Sequence, residues 1–248
     1  MRSVYFQRPL EYQLLTESEE WHQGQRVRGS LRLKNIGTEA LSAQQSMISL
    51  GHALKKDIKA GEANWHVYGE LSLDFPELSS GQDHLIRWEM PLPSDCPITD
   101  KSGALHLLFG DENALEQGGR IDLQVVLHPM LQSFLQTFTT QFKFLEKYRK
   151  FSGGWTEIKL IPPDSGEFPS LDELLLNLKM VEERMELWYV FRLKGLTRDG
   201  ESLKARRKKK EVEQALGADS YELPGGFPNR NLFRERIDGA LAVARLGI

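Results

Sequence analysis

The feature that most restricts what this chain can fold into is an alternation of period two, repeated in short segments between turn residues. In Arg26–Lys34, Val27, Gly29, Leu31 and Leu33 alternate with Arg28, Ser30, Arg32 and Lys34. Successive side chains of a strand point to opposite faces, so this segment has one small or apolar face and one almost wholly basic face. Further β-like segments follow at Met47–Leu54, Trp65–Leu73, His84–Met90 and Ala104–Phe109, bounded by Gly51, Gly61, Gly81, Pro91 and Gly110. Ile121, Leu123, Val125 and Leu127 alternate once more before Pro129, which places a boundary at 128–130. Short strands at this spacing predict a β-sandwich, although periodicity by itself does not separate a sandwich from a barrel.

The second half is mixed. Leu131, Phe134, Leu135 and Phe138 recur at helical spacing, Phe142, Phe144 and Tyr148 alternate, and Trp155–Ile161 reads as a strand stopped by Pro162 and Pro163. Residues 170–186 carry two patterns. Ser170 with Glu173 resembles a capping box ahead of Leu171, Leu174, Leu175 and Leu178, whereas Leu174, Leu176, Leu178 and Met180 also alternate. Beyond Thr197, Glu201–Leu216 is charged and helix-favouring, Leu223–Asn231 is a Pro/Gly connector, and Asn231 is expected to cap a last helix.

At 248 residues, two domains are expected, and 40% hydrophobic with 27% charged residues is the balance of a folded protein. The single cysteine, Cys96, admits no internal disulfide, which points to a reducing, cytoplasmic setting. No apolar run reaches the ~18 residues that would predict a transmembrane segment. A net charge of −3 leaves electrostatic attraction to local patches.

The histidines His22, His52, His66, His84, His106 and His128 lie in no close ligand spacing, and neither a nucleophile elbow nor a phosphate-binding loop is present, so no catalytic, metal or cofactor residues are assigned. A metal-dependent enzyme built on those histidines stands as the weaker alternative. The acidic Asp111, Glu112 and Glu116 lack the alternating oxygen ligands of a calcium loop. The sharpest local feature is the basic run Lys204, Arg206, Arg207, Lys208, Lys209 and Lys210, six cations against Glu201 and Glu211. It offers an anionic surface or a nucleic acid a binding site, against the plainer reading of a solvated helix face. Leu232, Phe233, Ile237 and Leu241 form an apolar row on the last helix, to be covered either in cis or by a second copy in a homo-oligomer.

Several landmarks occur together: Gln23-Gly24-Gln25 before the basic strand, Ser80-Gly81-Gln82, the Pro-rich crossing Met90–Pro97, Cys96-Pro97-Ile98-Thr99, the acidic Asp111-Glu112, His128-Pro129, and Phe168-Pro169-Ser170-Leu171-Asp172-Glu173-Leu174. In this order they resemble the bacterial sporulation-control family of the arrestin-like clan, from about Glu11 to Leu196. The resemblance implies an all-β chain of two tandem antiparallel β-sandwiches, at 1–128 and 130–197; the charged helical tail read from the residues at 198–248 lies outside it. It also implies that Leu171–Leu174 opens a strand. The function implied is that of a non-catalytic adaptor or scaffold acting through protein partners, with no cofactor.

Overall fold

The structure, a computed structural model, describes residues 1–164, 166–199 and 202–245; at 116, 195–199 and 202–207 it describes the backbone alone. The chain divides into two compact units, Met1–Val126 and Leu127–Ile248.

The first unit runs β1 (Arg2–Gln7), β2 (Leu10–Thr16), β3 (Glu20–His22), β4 (Arg26–Asn35), β5 (Gln44–Leu54), α1 (Lys55–Ala60), β6 (His66–Phe75), β7 (Asp83–Pro91), β8 (Gly103–Gly110), α2 (Ala114–Gln117) and β9 (Gly119–Val126). These strands form a four-stranded sheet, β1-β2-β4-β7, and a five-stranded sheet, β3-β9-β8-β5-β6. Pairing is antiparallel except between β3 and β9. The inward rows of both sheets meet in one apolar cluster that takes Tyr12 and Leu14 from β2, Leu31 and Leu33 from β4, Ile48 and Leu50 from β5, and Leu107 and Phe109 from β8. This is the sandwich that the alternation predicts. Every residue of β8 is buried, which is why its sequence is a continuous apolar run and not an alternating one.

The second unit runs α3 (Pro129–Thr140), β10 (Leu145–Ser152), β11 (Trp155–Ile161), β12 (Leu171–Val181), β13 (Arg184–Asp199), β14 (Ser202–Gly217), α4 (Ala218–Tyr221), β15 (Glu222–Leu223), β16 (Phe227–Pro228) and α5 (Arg230–Arg245). Strands β10 to β14 make one antiparallel sheet in sequence order. In the 170–186 segment the strand pattern prevails: Leu174, Leu176, Leu178 and Met180 are all buried, and Val181 pairs with Arg184 across a two-residue turn. Glu182 in that turn has a φ of 54°, in the left-handed region.

Three sequence expectations are corrected here. Residues 202–217 are a strand, not a helix. Their helix-favouring composition is overridden because β13 supplies a continuous ladder from Arg184↔Gly217 to Asp199↔Ser202, and because the alternating Val212, Gln214 and Leu216 fit a strand face. The expected boundary at 197 therefore falls inside a strand pair, and 198–199 and 202–217 belong to the second unit's sheet, not to a helical tail. The layer that faces this sheet is helical: Phe134 of α3 meets Phe233 of α5 at 5.2 Å between ring centroids, and Phe138 meets Tyr189 of β13 at 6.3 Å. Lastly, α5 is capped by Asn229, whose side chain accepts from the Leu232 N–H at 3.2 Å, and not by Asn231, which lies inside the helix.

Candidate functional site

The strand character of β14 decides what the basic run can do. Alternation sends neighbouring residues to opposite faces, so among the described side chains Lys209 does not share a face with Lys208 and Lys210. Lys210 turns toward α5, where its Nζ donates to the Val243 carbonyl at 3.5 Å, and Lys208 shares its parity and is likewise half-buried. Lys209 is exposed on the other face and pairs with Glu211, holding that carboxyl below the usual carboxylate range. The side chains of Lys204, Arg206 and Arg207 lie outside the described residues.

The apolar row of α5 is also placed. Phe233, Ile237 and Leu241 are fully buried by the chain's own second unit, and Leu232 is half-buried. These four residues, expected as an interaction surface, are instead mostly core, because a helix of this moment docks on the nearest apolar sheet face.

The face of the second sheet turned away from the helices has the chemistry of a binding surface. Across one row, Trp155, Lys179, Glu186 and Ala215 lie side by side on β11, β12, β13 and β14; in the next row are Asn177, Trp188 and Glu213. The two half-buried indoles stand 6.2 Å apart at 64°. The Lys179 ammonium sits 4.7 Å over the Trp155 ring and 3.2 Å from Glu186. Hydrogen bonding from Arg184, at 2.7 Å, and then from Lys179 keeps Glu186 ionised to below the usual carboxylate range. The Trp188 N–H donates to Glu211 at 3.3 Å. Together with Arg184, Glu186 and Glu213, the indoles line a concavity of about 590 Å³. Further along the same face, Glu173 is held between Lys159 and Arg192, and Asp172 pairs with Lys194 at 2.7 Å.

Sequence reasoning missed this site. The two tryptophans are 33 positions apart in the chain, and only the register of three strands brings them together. The available signal was that tryptophan and cations share strand parity, which is informative only once the pairing is known.

The histidines do not converge on a metal: among the described residues there is no group of three or more His, Cys, Asp or Glu placed to hold one. His128 instead caps α3, accepting from the Met130 N–H at 3.3 Å. His106, 1% exposed, is the most constrained; its Nδ1 lies 2.8 Å from Asp122, and its Nε2 has no hydrogen-bond partner. Burial pushes the His106 pKa down, against the opposing pull of Asp122, and burial lowers His52 too. With folded values below the unfolded 6.5, both are preferentially neutral in the native state. The stability this confers is complete above pH 6.5 and is lost as pH falls through 6.5 toward the folded values. Urea midpoints between pH 8 and pH 5 are expected to drop over that window, with a slope of at most about 1.4 kcal/mol per pH unit from each histidine. His106→Gln should flatten its share of the slope.

The architecture as a class is an arrestin-type fold of antiparallel β-sheets with a C-terminal helix. A solved structure of Spo0M, sporulation control protein, from Bacillus subtilis, is similar over 95% of this chain and 99% of that chain, with a TM-score of 0.62 at 17% sequence identity. At that identity the likeness establishes the fold. A β-glucosidase from Listeria innocua overlaps 49% of this chain and 17% of its own, with a TM-score of 0.31 and 14% identity, and has no bearing on function. No protein-family model and no curated protein matches the sequence. No helix among the described residues is long and apolar enough to cross a membrane.

Proposed function

We propose that this chain is a non-catalytic regulatory protein of the cytoplasm that acts as an adaptor, holding a protein partner on the outer face of its second sheet. The observation that carries this reading is the Trp155–Trp188 concavity. Two half-buried indoles framed by fixed charges of both signs supply apolar contact area at low conformational-entropy cost, together with polar groups that set the register of a partner. The shared fold with a sporulation control protein supports regulation as the broader role only, and the specific reading rests on the site, because fold likeness carries no chemistry by itself.

The test is affinity capture from native extract with the wild-type chain and with Trp188→Ala, at low and moderate salt. A discrete protein retained by wild type is expected to bind the variant about 30-fold more weakly, the loss of one aromatic hot spot. A partner bound equally by both chains would take the function away from this face.

A further inference from the structure

The outer face of the first unit's four-stranded sheet has a charge opposite in sign to that of the chain. From the registers of β1, β2, β4 and β7, the side chains turned away from the core include six cations, Arg2, Arg26, Arg28, Arg32, Lys34 and Arg87, against three carboxylates, Glu11, Asp83 and Glu89. The whole chain carries a net charge of −3, so this face is a local basic field on an acidic protein. Two of the three carboxylates are tied within the face: Glu89 to Arg26 at 2.6 Å and Arg28 at 3.2 Å, and Asp83 to Arg32 at 2.5 Å. These arginine side chains nevertheless stay about half exposed, at 56, 57 and 48%.

The same face exposes large apolar groups, and they stand on its two edge strands. Phe6 is 60% exposed and Val4 38% on β1, and Leu85 is 57% exposed on β7. Four strands at a spacing of about 4.8 Å and ten residues at about 3.4 Å give a face of roughly 15 by 30 Å.

We propose that this face docks on an anionic lipid surface. Distributed cations with shallow apolar anchors at the margins suit a fluid headgroup layer, where each side chain finds its own depth. A protein hot spot would instead gather its contacts in a central desolvated pocket.

The experiment is co-sedimentation of the full chain with vesicles of mixed phosphatidylserine and phosphatidylcholine, and with phosphatidylcholine alone. Binding is expected only to the anionic vesicles and is expected to weaken with salt. Lys34→Gln with Arg87→Gln should lower the partition about 25-fold, from about fivefold per cation. Glu11→Gln should raise it by about fivefold on the same basis, on anionic vesicles and not on phosphatidylcholine alone or without vesicles, where an unfolded variant would also pellet. Failure to sediment with anionic vesicles would overturn the proposal. So would binding indifferent to Lys34 and Arg87. If the chain ignored vesicles but bound soluble polyglutamate with the same sensitivity, the face would belong to an acidic protein and the lipid proposal would fall.

Discussion

Replacing Phe233 by alanine is expected to remove about 3–5 kcal/mol from the folding free energy of the second unit, as for other fully buried aromatic truncations. Phe233 has no exposed surface and stands edge-on to Phe134, which in turn packs on Phe138 at 5.8 Å. It is the first large anchor of α5 on the sheet, followed by Ile237 and Leu241. Domains are stable by only about 5–15 kcal/mol, so the loss takes away a large share of the total. Hydrogen exchange of the β12 and β13 amides across a denaturant series would read the effect in this unit. A change below about 1 kcal/mol would mean that α5 does not dock in cis in solution, since only surface substitutions are that mild. An engineered chain ending before α5 should behave more severely still, exposing the apolar face of β12 and β13.

Gly29→Ala should destabilise the first unit by about 3 kcal/mol, at the upper end of overpacking costs. Gly29 lies in β4, with Thr16 of β2 and Trp88 of β7 as its cross-strand partners. A Cβ there would fall 2.0 Å from the Leu15 carbonyl oxygen and 2.8 Å from Cζ2 of Trp88. The first contact is backbone and has no rotamer by which to withdraw; the second is an indole that is 5% exposed. Relief must come from the β2–β4 ladder itself. Urea unfolding monitored through Trp88 would check this, and a variant as stable as wild type would contradict the close approach of Leu15 to β4.

The alternation of Arg26–Lys34 was legible because a half-buried strand writes its two environments into consecutive residues, and β4 indeed buries Val27, Leu31 and Leu33. The last helix was legible for the same reason at a period of 3.6, although its cap was misplaced by two positions. The basic run is visible in the sequence, but its composition points to a helix and not to the strand it occupies. Lysine and arginine favour helices in isolation, and nothing local announces that β13 waits as a partner for 16 residues of strand.

The sequence by itself therefore determined the all-β class and the apolar rows that build both cores, because burial leaves a periodic trace in the chain. Tertiary structure alone decided that 202–217 closes a sheet, that the row on α5 is core and not an interface, and that Trp155 meets Trp188. Those outcomes depend on which strands pair and in what register, a contest between distant segments whose free energies no single segment carries.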